Sequence, residues 1–256
     1  PWSMFSRRGW SKFGRRAHDM PFIGDQSEAR SVASWRIYKN ELERFGEYRG
    51  VMVLGVFVGN AAHLFTASKD VRTVEDWKGL KLRSPQPSAG MSIQQLGGVP
   101  IYKPVPEIYE LASSGVIDGA VIPPEVVTGF KLDGAFKRMT FIPGGITNSN
   151  LLWAMNTDKF RSLRKDDQEA ILRISGEALA RAAGQAHDRF TREAIDTLTR
   201  NGTVIHRATP DVVEQMRVRL KAVEADWFAK ARKKGLNDPE RVLEALRQEV
   251  VAVSAR

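Results

Sequence analysis

Two rhythms of apolar residues alternate along the chain. Residues Val51–Val58 (VMVLGVFV) run without a polar side chain, and their β-branched content predicts a strand covered on both faces. Upstream, Ala29, Val32, Ala33, Ile37, Leu42 and Phe45 recur roughly at helical intervals. That spacing predicts a helix capped by Ser27 and ended by Gly46 and Gly50. The stretch GNAAHLFTASKD reads as a loop, and TVEDWKGL as a capped turn in which Thr73 stands three residues before Asp76.

From residue 80 the rhythms shorten. A strand over 80–83 leads to a helix through Met91, Ile93 and Leu96, stopped by Gly97 and Gly98. A strand over 100–103 precedes a helix in PEIYELASSG, with proline in its first turn and glycine at its end. Asp118 and Gly119 turn the chain into a strand halted by Pro123 and Pro124. This order of strand, helix and strand predicts βαβ units in a largely parallel sheet. Further strands are expected over 139–142 and 151–156.

Beyond them the texture changes. From Asp166 to about Arg200, Ile171, Ile174, Ala178, Ala182, Ala186 and Phe190 are spaced three or four apart. One long helix is expected there, of a length that suits a strut between two lobes. A short strand in TVIHRA, an amphipathic helix through Val213, Met216, Leu220, Val223 and Trp227, and a last helix near Pro239 complete the pattern. Trp77 and Tyr109 are expected to pack as framework.

Composition narrows the function. With 256 residues, 42% hydrophobic and 27% charged, the chain is long enough for one large domain or two modest lobes. Cysteine is absent, which removes disulfides, thiolate zinc sites and cysteine nucleophiles. His18, His63, His187 and His206 show no metal-ligand spacing, so neither a metal nor a cofactor is expected. The net charge of +9 invites a nucleic-acid partner, but the basic residues share their helices with acids and no recognition motif accompanies them. The basic stretch SRRGWSK is similar to a twin-arginine export signal, yet FGRRAHD follows where an apolar core belongs. No motif of an α/β enzyme is found, neither a nucleophile elbow, a phosphate loop nor a dinucleotide fingerprint, and no catalytic residue is assigned.

Three blocks carry a resemblance: VRTVEDWKGLKLRSP, LGGVPIYKPVPEIYELASSGVIDGAVIPPE and LLWAMNTDKFRSLRKDDQEAIL. In order, spacing and character they resemble the DctP-type solute-binding proteins of tripartite ATP-independent periplasmic (TRAP) transporters, from about DMPFIGDQSEARS onward. The resemblance implies an α/β fold of the two-lobed periplasmic-binding-protein type, with a long helix spanning both lobes. Residues 1–61 and 149–189 would form lobe I, and 62–148 with 190–256 lobe II. It further implies a periplasmic location, a TRAP membrane permease as partner and a small organic acid as ligand. An α/β enzyme acting on a small carboxylate is the alternative.

For the site, the resemblance implies that Arg83, after GLKL, pairs with the ligand carboxylate. A guanidinium offers a planar fork of donors that matches a carboxylate and stays protonated. The competing role is a salt bridge to a neighbouring acid. Gln86 occupies a position of polar ligand contacts, and Val105 one that lines the cleft. Ile122, with Val121, replaces a polar pair, which favours a ligand with an apolar or aromatic body over a hydroxyl-rich sugar acid. His63, on a crossing loop, is either a ligand donor or a locally paired histidine. Glu125, Asn150 and Trp153 fall near the cleft, Trp153 with a core role as its alternative. Family members normally begin with strands and helices that this sequence lacks, so the first lobe is expected to be incomplete, with open sheet edges.

Overall fold

The structure is a computed structural model that describes residues 3–4, 17 and 19–255. The basic stretch at 7–16 and His18 lie outside the described residues. After the two-residue β1 (Ser3–Met4) comes α1 (Ser27–Ile37), prolonged by a π turn over Tyr38–Leu42 and a 3-10 turn over Glu43–Phe45. The expected helix is therefore present in three pitches. Its expected cap is not: Ser27 is the first helical residue, and Gln26 before it makes no capping bond. The Ser27 and Glu28 amides instead donate to the Asp188 carboxylate at 2.6 and 3.0 Å, so the cap comes from a distant part of the chain.

β2 (Val51–Val58) is followed by β3 (His63–Thr66), where a loop is expected from sequence. Four residues are too few to display a period. Once placed, β3 sends Leu64 to one face of its sheet and Phe65 to the other, both fully buried in separate clusters. Then come β4 (Lys81–Ser84), α2 (Pro87–Gln95), β5 (Val99–Tyr102), α3 (Ile108–Ser113), β6 (Gly119–Ile122), α4 (Pro124–Gly129), β7 (Arg138–Phe141) and β8 (Asn150–Asn156). Trp77 is buried as expected, whereas Tyr109 is half exposed on α3 and does not pack as framework.

The expected single helix from 166 to 200 is two. After α5 (Thr157–Arg161), α6 (Lys165–Arg173) ends and α7 (Glu177–Arg200) begins around Gly176, whose φ of 69° lies in the left-handed region. The Gly176 N–H leaves the helical ladder and donates to the Leu54 carbonyl at 2.6 Å, which anchors the break on β2. β9 (Val204–Arg207), α8 (Pro210–Arg232) and α9 (Pro239–Ser254) complete the chain, α9 folding back onto α1.

The strands form a three-stranded antiparallel sheet, β1-β8-β2, and a six-stranded sheet, β5-β4-β6-β3-β7-β9. The larger sheet is mixed rather than largely parallel. β4 runs parallel to β5 and β6, and β7 to β9, but β3 is antiparallel to both its neighbours. Among the described residues, β8 meets β1 only at Ala154 and Trp153. The chain crosses between the sheets at residues 59–62 and 147–149. These crossings pair with each other, Gly59 N–H to Ser149 O at 2.8 Å and Ala62 N–H to Thr147 O at 2.9 Å. The 24 residues of α7 touch both β2 and α4, so this helix is a third connection.

Candidate functional site

Arg83 stands near the carboxyl end of β4, between Ile101 of β5 and Ala120 of β6. Leu82 buries itself in the cluster under α8 and α9, so alternation turns Arg83 to the opposite face. Only 5% of Arg83 is exposed, yet no carboxylate pairs with it among the described residues. Its Nε–H donates to the Lys103 carbonyl at 2.8 Å, which fixes the plane of the fork. Burial lowers its pKa to about 10, so the group remains a cation at neutral pH.

Around it the structure gathers part of the expected set. Gln86, in the turn before α2, donates its amide to Thr147 Oγ1 at 3.1 Å, joining the Arg83 loop to the second crossing. Ile122 ends β6 fully buried, and Val105, half buried in a 3-10 turn over Val105–Glu107, packs against the same cluster. Both lie on the face of the sheet that Arg83 takes, but Ile122 is enclosed by the core and does not form a cleft wall as expected, which leaves Val105 as the accessible apolar residue.

His63 is the first residue of β3, in register with Ile122, and not on a loop. It is 2% exposed, stacks on Phe141 at 4.3 Å and accepts the Ile142 N–H on Nδ1 at 3.2 Å. Burial first, then the nearby Arg30 charge, lowers its pKa to about 3, so the ring is neutral with its proton on Nε2. The ring borders a cavity of about 520 Å³ shared with Asp25, Asp188 and Arg189.

Glu125, in the first turn of α4, has its pKa raised by burial, and among the described residues its Oε2 has no hydrogen-bond partner. Asn150, at the start of β8, likewise keeps a buried Oδ1 without a donor. Trp153 is 46% exposed on β8, which excludes a core role, and meets Phe57 edge-on at 6.2 Å. His187 and Phe190 of α7 extend this row of rings.

Residues 11–231 match the family model for the bacterial extracellular solute-binding proteins, family 7. The chain belongs to this family. A TRAP periplasmic solute-binding protein from Bordetella bronchiseptica, with bound (R)- and (S)-mandelate, is 33% identical with a TM-score of 0.85, covering 98% of this chain and 78% of that one. A TRAP solute-binding protein from a marine metagenome, specific for aromatic acid ligands and solved with 3-hydroxybenzoate, is 28% identical with a TM-score of 0.87 over 98% and 78% of the two chains. One from Rhodoferax ferrireducens with copurified benzoate shares the fold at 23% identity, a TM-score of 0.85 and coverage of 99% and 79%.

In this TRAP receptor the sequence reading overlooks a buried polar group behind the site. Arg30 of α1, Asn60 of the first crossing and Asn148 of the second are all buried. Arg30 Nη1 donates to Asn148 Oδ1, Arg30 Nη2 to Ser27 Oγ at 2.8 Å, and Ser27 Oγ to Asn60 Oδ1 at 2.9 Å. One signal was available: Arg30 interrupts a run of small residues, Ala29, Ser31, Ala33 and Ser34, that marks a closely packed helix face. Asn60 and Asn148 carry no such mark, because loops are rich in asparagine whatever they do.

Proposed function

We propose that this TRAP receptor captures a small organic acid with an aromatic or otherwise apolar body, fixes its carboxylate on Arg83, and delivers it in the periplasm to a membrane permease. It acts as a carrier and not as an enzyme. One observation supports the reading most: a buried, protonated guanidinium held in place by a carbonyl and lacking an acidic partner among the described residues. Its Nε is its one bonded nitrogen among the described residues, so both Nη groups are left to be met, and a carboxylate accepts two parallel hydrogen bonds from such a fork. Val105, half buried on the same face of the sheet, offers apolar surface suited to a ring. Mandelate and 3-hydroxybenzoate, found in the similar receptors, each join a ring to a carboxylate.

The ligand lies between two lobes, residues 1–61 with 149–189 and residues 62–148 with 190–256, α9 of the second reaching across to α1 of the first, with Glu125, His63, Asn150 and Trp153 along their margin. Contacts that form only when both lobes meet the ligand favour the closed state, the paired crossings acting as a hinge. Calorimetry with (R)-mandelate, 3-hydroxybenzoate and sialic acid tests this. The aromatic acids should bind and sialic acid should not, and Arg83→Ala should weaken binding by about 2–5 kcal/mol. Unchanged affinity in Arg83→Ala, or tight sialic acid binding with none for the aromatic acids, refutes the reading.

A further inference from the structure

Arg30 is fully buried at 0% exposure, and among the described residues its guanidinium is served only by neutral oxygens. Nε–H donates to the Gln26 carbonyl at 3.3 Å, Nη2 to Ser27 Oγ at 2.8 Å and Nη1 to Asn148 Oδ1. Asp188, Asp25 and Glu125 act on it through space without a hydrogen bond. A cation buried in this way stabilises a fold less than an apolar side chain of the same volume would, so packing alone does not account for it.

Its contacts lead to all three connections between the sheets, to the second crossing directly and to the first crossing and α7 through Ser27. Asn148 belongs to the second crossing, next to Thr147, whose hydroxyl receives the Gln86 amide at 3.1 Å. Ser27 passes the contact to Asn60 on the first crossing at 2.9 Å. The Ser27 amide is held by Asp188 of α7 at 2.6 Å. Gln86 sits three residues after Arg83, so the chain of contacts from Arg30 ends at the rim of the proposed acid site.

We infer that Arg30 is a positioning residue for that site: by holding Asn148 it fixes the Thr147 hydroxyl on which Gln86 rests, without touching the ligand. The inference rests on the proposed function in so far as Gln86 faces the bound acid. It predicts that Arg30 and Gln86 act as a unit, so that losing one makes the other irrelevant to affinity.

The test measures (R)-mandelate affinity in the parent, Arg30→Met, Gln86→Ala and the double variant, with the side-chain amide resonances of Gln86 followed by NMR in ligand-free protein. Arg30→Met should weaken binding on the order of tenfold in the parent, and by less than about twofold once Gln86 is alanine. The Gln86 amide resonances should move in Arg30→Met. Equal losses in both backgrounds, or unmoved resonances, would leave Arg30 a packing residue and overturn the inference. If Arg30→Met does not fold, Asn148→Ala cuts the same link at its other end and is judged by the same two readouts. An Arg83→Ala variant that binds as well as the parent defeats the proposed function instead, and the ligand-free resonances still decide for or against Arg30.

Discussion

His63 shows how a single side chain carries the consequences of its burial. Its pKa is about 3 in the fold against an ordinary 6.5. Between those values the unfolded chain binds a proton that the folded chain refuses, so stability is complete above pH 6.5 and declines as pH falls toward 3. Scanning calorimetry from pH 7 to pH 4 should show a steeper fall in melting temperature for the parent than for His63→Gln; parallel curves would mean the ring is not held neutral. Arg83 stood out in the sequence as an arginine near the end of a strand before a proline-bounded loop, an arrangement that left a structural salt bridge and a ligand contact both open until the family resemblance favoured the second. The lack of an acidic partner was not legible, since it depends on every side chain that might have reached it. Arg30 went unread for the opposite reason: a lone arginine on a helix ordinarily lies on the solvent side, and only the tertiary fold, which brings Asn148 of the second crossing onto its guanidinium, encloses it.

At the scale of elements, the contact between α1 and α7 depends on Gly184. A Cβ at that position would lie 2.7 Å from the Ser27 carbonyl oxygen, closer than any relaxed contact. Helix propensity alone makes Gly→Ala favourable by about 1 kcal/mol. The clash opposes this, and overpacking should win, so Gly184→Ala is expected to lower stability by about 1–3 kcal/mol. A denaturant midpoint that moves down with an unchanged slope would agree, and one that moves up would refute the close approach. Most strands and helices were readable from periodicity to within a residue or two, because each buries one stripe or face of its own. The failures share a cause. β3 is too short to show a period, and the break at Gly176 interrupts a helical pattern that continues on both sides, the deciding contact being a carbonyl on β2 more than a hundred residues away.

For the whole molecule, the proposed closure of two sheets joined by paired crossings and α7 is a movement that Trp153 is placed to report. It is half exposed on the smaller sheet, whereas Trp77 and Trp227 are buried in the main core. Binding of (R)-mandelate should shift the tryptophan emission, and Trp153→Phe should remove most of that shift. A shift that persists in full would place the moving gap away from β8.

The order of apolar runs determined by itself that the chain forms short strands and amphipathic helices, whereas the reading of Arg83 as the residue that meets an acid came from the family resemblance of the blocks around it. Local spacing suffices for the first, since it depends on neighbours along the chain. Tertiary structure alone decided that β3 enters antiparallel, that Asp188 caps a helix starting at Ser27, and that Arg30 lies beneath both crossings. Those outcomes depend on groups far apart in sequence, whose proximity follows from how two sheets and a long helix share one core.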